Sequence, residues 1–122
     1  MASYKDLIVW EKTLQLVKEV YRLTADLPRS EMLGLTSQLR RASISIPSNI
    51  SEGYGRRSDK ERRQFLTQAI GSAREVETQL MLVGELQLLP KFRLTNAEIL
   101  VGEVLRMLTG LSRSLIEAKT KP

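Results

Sequence analysis

The sequence predicts an all-α protein folded as an antiparallel up-down-up-down four-helix bundle, and three observations support this prediction. Apolar residues recur at alternating spacings of three and four in four segments, as in helices that bury one face against other helices. Prolines, glycines and capping residues separate these segments by short connections. Good helix formers are plentiful, and no segment alternates like a strand. We therefore expect a single domain over residues 1–122.

Composition narrows the possible functions. The chain has 122 residues, and its 42% hydrophobic and 27% charged content is typical of a globular domain. It contains no histidine and no cysteine, which excludes a Ser-His-Asp triad, a Cys-His pair and the usual zinc sites within one chain. We expect no enzymatic activity, no cofactor and no small-molecule substrate. The net charge of +5 permits binding to nucleic acid or to an acidic partner.

The expected location is the cytoplasm. The absence of cysteine fits a reducing compartment. No apolar run approaches the ~20 residues that span a bilayer, and the N-terminus lacks the pattern of a secretory signal. We therefore expect no membrane association.

Helix 1 is predicted from about Asp6 to Ala25, before Pro28. Its spacing indicates a buried stripe in which Trp10 is a core anchor. The residues of this stripe are Leu7, Trp10, Leu14, Val17 and Tyr21.

Helix 2 is predicted from Leu35 or Thr36, with Gly53 and Gly55 at its end. Its stripe contains Leu35, Leu39, Ala42, Ile46 and Asn49, with Ile50 and Gly53 beside it. Pro47 lies inside this pattern and cannot donate a hydrogen bond to the Ser43 carbonyl. The helix therefore either ends at Ile46 or continues with a kink, and the unbroken apolar period favours the kink. Nearby serines are candidates to satisfy freed carbonyls.

Capping boxes place the starts of the last two helices. Ser58 and Glu61 open helix 3, predicted from Asp59 to about Leu86. Thr95 and Glu98 predict that helix 4 runs from about Asn96 to Ala118, with Leu88 to Leu94 as a connection. The predicted stripes are Leu66, Ala69, Ala73, Val76, Leu80 and Val83 in helix 3, and Val101, Val104, Leu108, Leu111 and Leu115 in helix 4.

Basic residues flank the connection between helices 2 and 3. At a helix N-terminus they can bind phosphate, and Tyr54 can stack on a base. The alternative is a solvated corner with local ion pairs, some of them between subunits. Arg40 and Arg41 are secondary candidates. They are adjacent on helix 2, so their side chains point about 100° apart, and the alternative for them is a structural role. The five principal candidates are Arg56, Arg57, Lys60, Arg62 and Arg63.

Polar residues also lie near the middle of helices 2 and 3. We predict that Asn49, Glu52, Glu75 and Glu77 form a buried polar network that sets the register of the helices. The alternative is a carboxylate metal site of Glu52, Glu75 and Glu77, as in a magnesium-dependent nuclease. Di-iron bundles need Glu-x-x-His motifs, which this chain cannot form, so we predict no metal site.

A long motif resembles one family. It comprises Leu39-Arg40-Arg41-Ala42, Ser45-Ile46-Pro47-Ser48-Asn49-Ile50, Glu52-Gly53, Gly55-Arg56 and Glu75-Val76-Glu77-Thr78-Gln79-Leu80, with Asp6 to Trp10 and Gly34 to Gln38 in support. These residues resemble the four-helix-bundle family of 23S ribosomal RNA intervening-sequence proteins, over nearly the whole chain.

The resemblance implies a bacterial protein with an antiparallel four-helix fold. Some members are encoded within intervening sequences of large-subunit ribosomal RNA genes. The fold is also similar to the accessory protein of diversity-generating retroelements, a basic pentameric barrel that binds nucleic acid. The resemblance therefore implies a homopentamer.

From these observations we expect a non-enzymatic, oligomeric bundle that binds structured RNA or DNA through backbone phosphates. The alternative is a protein-interaction adaptor whose basic residues contact subunits or partners. A metal-dependent nuclease that needs Glu52 is a third class.

Overall fold

The computed structural model describes the backbone of residues 3–120 and the side chains of residues 3–5 and 7–116. Helix α1 spans Ile8–Thr24, α2 Leu35–Tyr54, α3 Asp59–Glu85 and α4 Lys91–Thr120. Two short 3-10 helices, Tyr4–Asp6 and Arg29–Glu31, precede α1 and α2. This part of the chain contains no strand, which confirms the predicted all-α class.

The four helices pack in a ring. α1 lies beside α2 and α4, and α3 lies beside the same two helices, whereas the Cα atoms of the diagonal pairs stay more than 8 Å apart among the described residues. Consecutive helices that touch along their length and are joined by short connections run antiparallel. One end of the bundle therefore carries the α2–α3 connection and the N-terminal 3-10 helix. The other end carries the α1–α2 and α3–α4 connections.

The core is aliphatic, and the predicted stripe of α3 is confirmed, since all six of its residues are buried. Most of the α2 stripe is buried as well, namely Leu39, Ala42 and Ile46, and so is Ile50 beside it. In α4, Val101, Val104 and Leu108 are buried, while Leu111 and Leu115 are partly exposed.

The predicted stripe of α1 is wrong. Leu14 and Tyr21 are 36% and 39% exposed, and Trp10 is only half-buried, against the ring of Tyr4. The residues that face the core repeat at alternating spacings of four and three, one position before Trp10, Leu14, Val17 and Tyr21. They are Val9, Thr13, Leu16 and Val20, followed by Leu23. Thr13 can be buried because its hydroxyl donates to the Trp10 carbonyl at 2.6 Å.

α2 runs through Pro47 without interruption. Of the two possibilities for this proline, the structure shows the continuous helix, and the kink stays a prediction. The hydroxyls of Ser43 and Ser51 donate to the Arg40 and Ser48 carbonyls at 3.0 and 3.1 Å. No side chain of the described residues donates to the Ser43 carbonyl that Pro47 leaves unpaired.

α4 begins at Lys91, directly after Pro90, and not at Asn96. Thr95 and Glu98 therefore lie within the helix, and the second predicted capping box is wrong. The physical reason is packing: the earlier start buries Leu94 and Ala97, which extend the apolar stripe of α4 toward its N-terminus. No helix in the described part of the chain is both long and apolar enough to cross a membrane.

Candidate nucleic-acid interface

We use the name basic corner for Arg56, Arg57, Lys60, Arg62 and Arg63, which lie around the α2–α3 connection. The first turn of α3 is capped as predicted, because the Ser58 hydroxyl accepts a hydrogen bond from the Glu61 backbone N–H at 3.1 Å. Other N–H groups of this turn have no carbonyl partner within the helix. The basic corner therefore combines side-chain cations with the positive end of a helix dipole.

Two arginine–aromatic pairs fasten the connection to α3. The Arg56 guanidinium lies over the Phe65 ring at 4.9 Å, and the Arg62 guanidinium lies over the Tyr54 ring at 4.7 Å. In the first pair the arginine follows α2 and the ring lies on α3. In the second pair the ring lies at the end of α2 and the arginine lies on α3. Such contacts contribute about 0.5–1 kcal/mol at exposed sites.

Gly53 makes this close approach of the helices possible. A Cβ at this position would lie 3.0 Å from the Phe65 Cβ and 3.3 Å from the Arg62 carbonyl oxygen. Neither neighbour is the flexible end of a side chain, so both resist displacement. Glycine at position 53 therefore lets Phe65 reach the position where Arg56 covers it.

The cations of the basic corner differ in their accessibility. Arg57 and Lys60 are exposed, and neither forms an ion pair with a described side chain. Arg62 and Arg63 bury Nε without a hydrogen-bond partner, but their terminal guanidinium nitrogens are accessible. Arg56 pairs with Glu52 at 3.3 Å, so it is the one member of the corner with a carboxylate partner in the described structure.

Arg40 and Arg41 do not join the basic corner. They precede Arg56 by about four turns of α2, or roughly 24 Å. Arg40 donates from Nε to the Thr24 hydroxyl at 2.8 Å and lies 4.5 Å over the Tyr21 ring, so it links α2 to α1. Arg41 is exposed and lies beside a groove between α2 and α3.

Tyr54 is half-buried beneath Arg62. Burial raises the pKa of its phenol, and the nearby Arg62 charge opposes part of this rise. Because Arg62 covers one face of the ring, stacking on a base would be restricted to the remaining surface of Tyr54.

The polar network in the structure differs from the predicted one. Asn49 donates from Nδ2 to the Ser45 carbonyl and hydroxyl at 2.9 and 3.0 Å, and the Ser72 hydroxyl donates to the Ser45 hydroxyl at 2.9 Å. Asn49 thus belongs to a network that spans α2 and α3. Glu52, Glu75 and Glu77 are exposed instead, because their positions on both helices face away from the core. The described residues contain no group of three acidic side chains that could hold a metal ion.

Three features of this region were not found from the sequence: Phe65 as the ring beneath Arg56, the Ser45–Ser72 contact, and Gln79 as a buried polar residue. For two of them, the position relative to the apolar stripe of α3 could have indicated the result. Gln79 immediately precedes Leu80 on the buried side of α3, and Ser72 precedes Ala73 in the same way. A residue one position before the stripe is partly turned toward the neighbouring helix.

The match to known families agrees with this architecture. A comparison with curated proteins finds no match for the chain. The family model described as 23S rRNA-intervening sequence protein matches residues 5–110, which include all four helices up to the last third of α4. The chain therefore belongs to the family of 23S rRNA-intervening sequence proteins.

Proposed function

We propose that this protein is a non-enzymatic, cytoplasmic nucleic-acid-binding bundle that holds structured RNA or DNA by its backbone phosphates. The basic corner is the proposed contact surface. Arg57 and Lys60 are the principal phosphate ligands, and Arg56, Arg62 and Arg63 complete the surface.

The observation that supports this proposal is the excess of cations over ion pairs at the corner, where Asp59 and Glu61 are the acidic residues of the first turn of α3. The five cations of the corner form one ion pair among the described side chains, between Arg56 and Glu52. At the other end of the bundle, Arg93 pairs with Asp26 at 2.8 Å and Lys91 with Glu85 at 3.6 Å. Unpaired cations at a helix N-terminus attract phosphate groups without reading sequence.

The description of the family also supports the proposal of nucleic-acid binding. Its words, 23S rRNA-intervening sequence protein, associate the family with ribosomal RNA. An RNA ligand is therefore our first choice over DNA.

Removing charge from the corner tests the proposal. We expect Arg57→Gln/Lys60→Gln to weaken binding to a labelled RNA hairpin by roughly tenfold or more, equally for hairpins of unrelated sequence. Fluorescence anisotropy at low salt measures this affinity. Both side chains are exposed, so the variant should fold normally.

The matched control is Arg29→Gln/Arg74→Gln, which removes the same charge from exposed positions away from the corner. Binding should change little in this variant. Equal losses in both variants would mean that net charge, and not the corner, governs binding. Unchanged binding in the corner variant would reject the site.

We also propose that the chain forms a homo-oligomer, with a pentamer as the first expectation. Apolar surface supports association: Ile8 is 66% exposed at the edge of a shallow cavity of about 570 Å³ between the start of α1 and the end of α4. Leu14 and Tyr21 are also exposed, on a different face of α1. Light scattering that gives the mass of a single 13.8 kDa chain would contradict oligomerisation.

A further inference from the structure

A second polar site lies on the outer face of α2 and α3, separate from the basic corner. We call it the α2–α3 groove. Its cavity measures about 280 Å³, and Ala42, Ser45 and Ser72 supply small side chains. Its lining is completed by Gln38, Arg41, Glu75 and Gln79.

Gln79 has an incompletely satisfied amide within this groove. Its side chain is only 8% exposed, and Oε1 is buried without a hydrogen-bond partner. Nε2 donates to the Gln38 Oε1 at 3.5 Å, the upper limit of a hydrogen bond. Exchanging the oxygen and nitrogen of both amides would leave the other polar atom of Gln79 unpaired instead. A buried polar atom of this kind destabilises the folded state unless a ligand or water satisfies it.

Gln38 can expose this amide to a ligand. Its own side chain is exposed, and the long hydrogen bond to Gln79 holds it weakly. Rotation of Gln38 would open the buried amide to the groove. Nearby, the Ser45 hydroxyl accepts a hydrogen bond from Asn49 Nδ2 and bonds the Ser72 hydroxyl. The groove thus presents a buried amide oxygen without a partner beside a hydroxyl that already makes two hydrogen bonds.

The rim carries two opposite charges that form no ion pair with each other. Arg41 and Glu75 both line the groove, yet no ion pair joins them within 4.0 Å. A guanidinium donates hydrogen bonds and a carboxylate accepts them. The rim therefore suits a ligand that presents acceptor atoms beside donor N–H groups.

A guanine base has this arrangement of atoms. Its O6 and N7 accept hydrogen bonds, and arginine is the commonest partner of these two atoms. Its N1–H and amino group donate on the adjacent edge, where a carboxylate is a suitable acceptor. We propose that the α2–α3 groove binds an unpaired guanine, with Arg41 on the O6/N7 edge and Glu75 on the N1–H and amino edge.

This inference rests on the proposed function, because the nucleic acid held by the basic corner supplies the guanine. Glu75 lies 12 residues beyond Arg63 on α3, about 18 Å along the helix. A few unpaired nucleotides can span this distance. The basic corner would then hold phosphates, while the groove would add a preference for guanine in a loop or single strand, where base edges are accessible.

Nucleosides test the groove without involving the phosphate contacts. We expect guanosine, which has no phosphate, to shift the backbone amide NMR signals of Ser45, Ser72 and Gln79 in the full chain. Inosine lacks the 2-amino group and should bind more weakly, and adenosine should bind more weakly still. Equal responses to all three nucleosides, or no response in the groove, would overturn the proposal.

Substitutions on the rim give the second measurement. Glu75→Gln and Arg41→Gln should each weaken guanosine binding about tenfold or more. The control, Glu77→Gln, removes a charge from an exposed position of the same helix outside the groove and should bind normally. Normal guanosine binding by Glu75→Gln would contradict the assigned role of the carboxylate.

The two sites can fail independently. The variant Arg57→Gln/Lys60→Gln should lose affinity for RNA and keep its affinity for guanosine. Glu75→Gln should keep the salt-dependent binding of RNA and lose the preference for a guanine-containing loop over an inosine-containing one. RNA binding without any response to guanosine would overturn the groove and leave the basic corner intact. A response to guanosine without RNA binding would support the groove and reject the proposed function.

Discussion

Arginine side chains in this bundle have different roles according to their nearest neighbours. Arg40 bonds the Thr24 hydroxyl and covers Tyr21, so it holds α1 against α2. Arg62 covers Tyr54 while its terminal nitrogens stay accessible. Arg57 has no such neighbour and is exposed. A count of basic residues therefore overstates the cations that are available to a ligand.

Tyr54 gives a prediction about pH. Burial raises the pKa of its phenol above the usual value of about 10, so the folded state favours the protonated form. The contribution of this group to stability is complete below about pH 10 and is lost as the pH rises through the higher pKa of the folded state. We expect Tyr54→Phe to lose less stability than the wild type above that pH.

Urea unfolding at a series of pH values measures this difference. Absorbance of tyrosinate provides the companion measurement, since subtracting the Tyr54→Phe titration from that of the wild type isolates Tyr54. The isolated curve should have its midpoint above about pH 10. A midpoint at or below that value, with identical stability profiles, would contradict the burial of the phenol.

At the level of elements, the close packing of α2 on α3 requires a glycine at one position and not at another. Gly53 has the Phe65 Cβ and the Arg62 carbonyl within 3.3 Å of an added Cβ, whereas Gly71 has no neighbour within 4 Å. Both glycines lie inside helices. The same substitution therefore has opposite expected effects at the two positions.

We expect Gly71→Ala to stabilise the protein by about 0.5–1 kcal/mol, because alanine restricts the unfolded chain and favours helix. Gly53→Ala should destabilise it by about 1–3 kcal/mol, because the added methyl group forces α2 and α3 apart. Urea unfolding measures both free energies. Stabilisation by both substitutions would show that α2 and α3 are not closely packed at Gly53.

The elements also show how far the sequence could predict the fold. The stripes of α2 and α3 were predictable because each helix has one apolar face. α1 has two series of residues with the same spacing, one containing Leu14 and one containing Leu16, and periodicity cannot choose between them. The start of α4 was missed because the capping pattern at Thr95 is locally favourable, and only the burial of Leu94 in the bundle outweighs it.

The candidate site was less predictable than the fold. The basic residues of the corner are adjacent in sequence, so their proximity was evident. Their pairing with rings was not, because Phe65 and Tyr54 become neighbours of arginines only when α3 folds back on α2. The same applies to the α2–α3 groove, where Arg41 and Glu75 are 34 residues apart in the chain.

For the whole molecule, the two ends of the bundle differ in charge. Ion pairs neutralise several cations at the end with the α1–α2 and α3–α4 connections, including Arg93 and Lys91. The opposite end carries the basic corner. In a ring of subunits this polarity would repeat on one side of the particle and multiply the attraction for phosphate.

The salt dependence of RNA binding tests the central claim most directly. Affinity of the wild type for a labelled RNA hairpin, measured by fluorescence anisotropy at ~50 and ~200 mM salt, should fall steeply because phosphate contacts release counterions. Arg57→Gln/Lys60→Gln should bind with a shallower dependence, reduced by roughly one contact for each charge removed. An affinity of the wild type that does not change with salt, or an unchanged slope in the variant, would contradict phosphate binding at the basic corner.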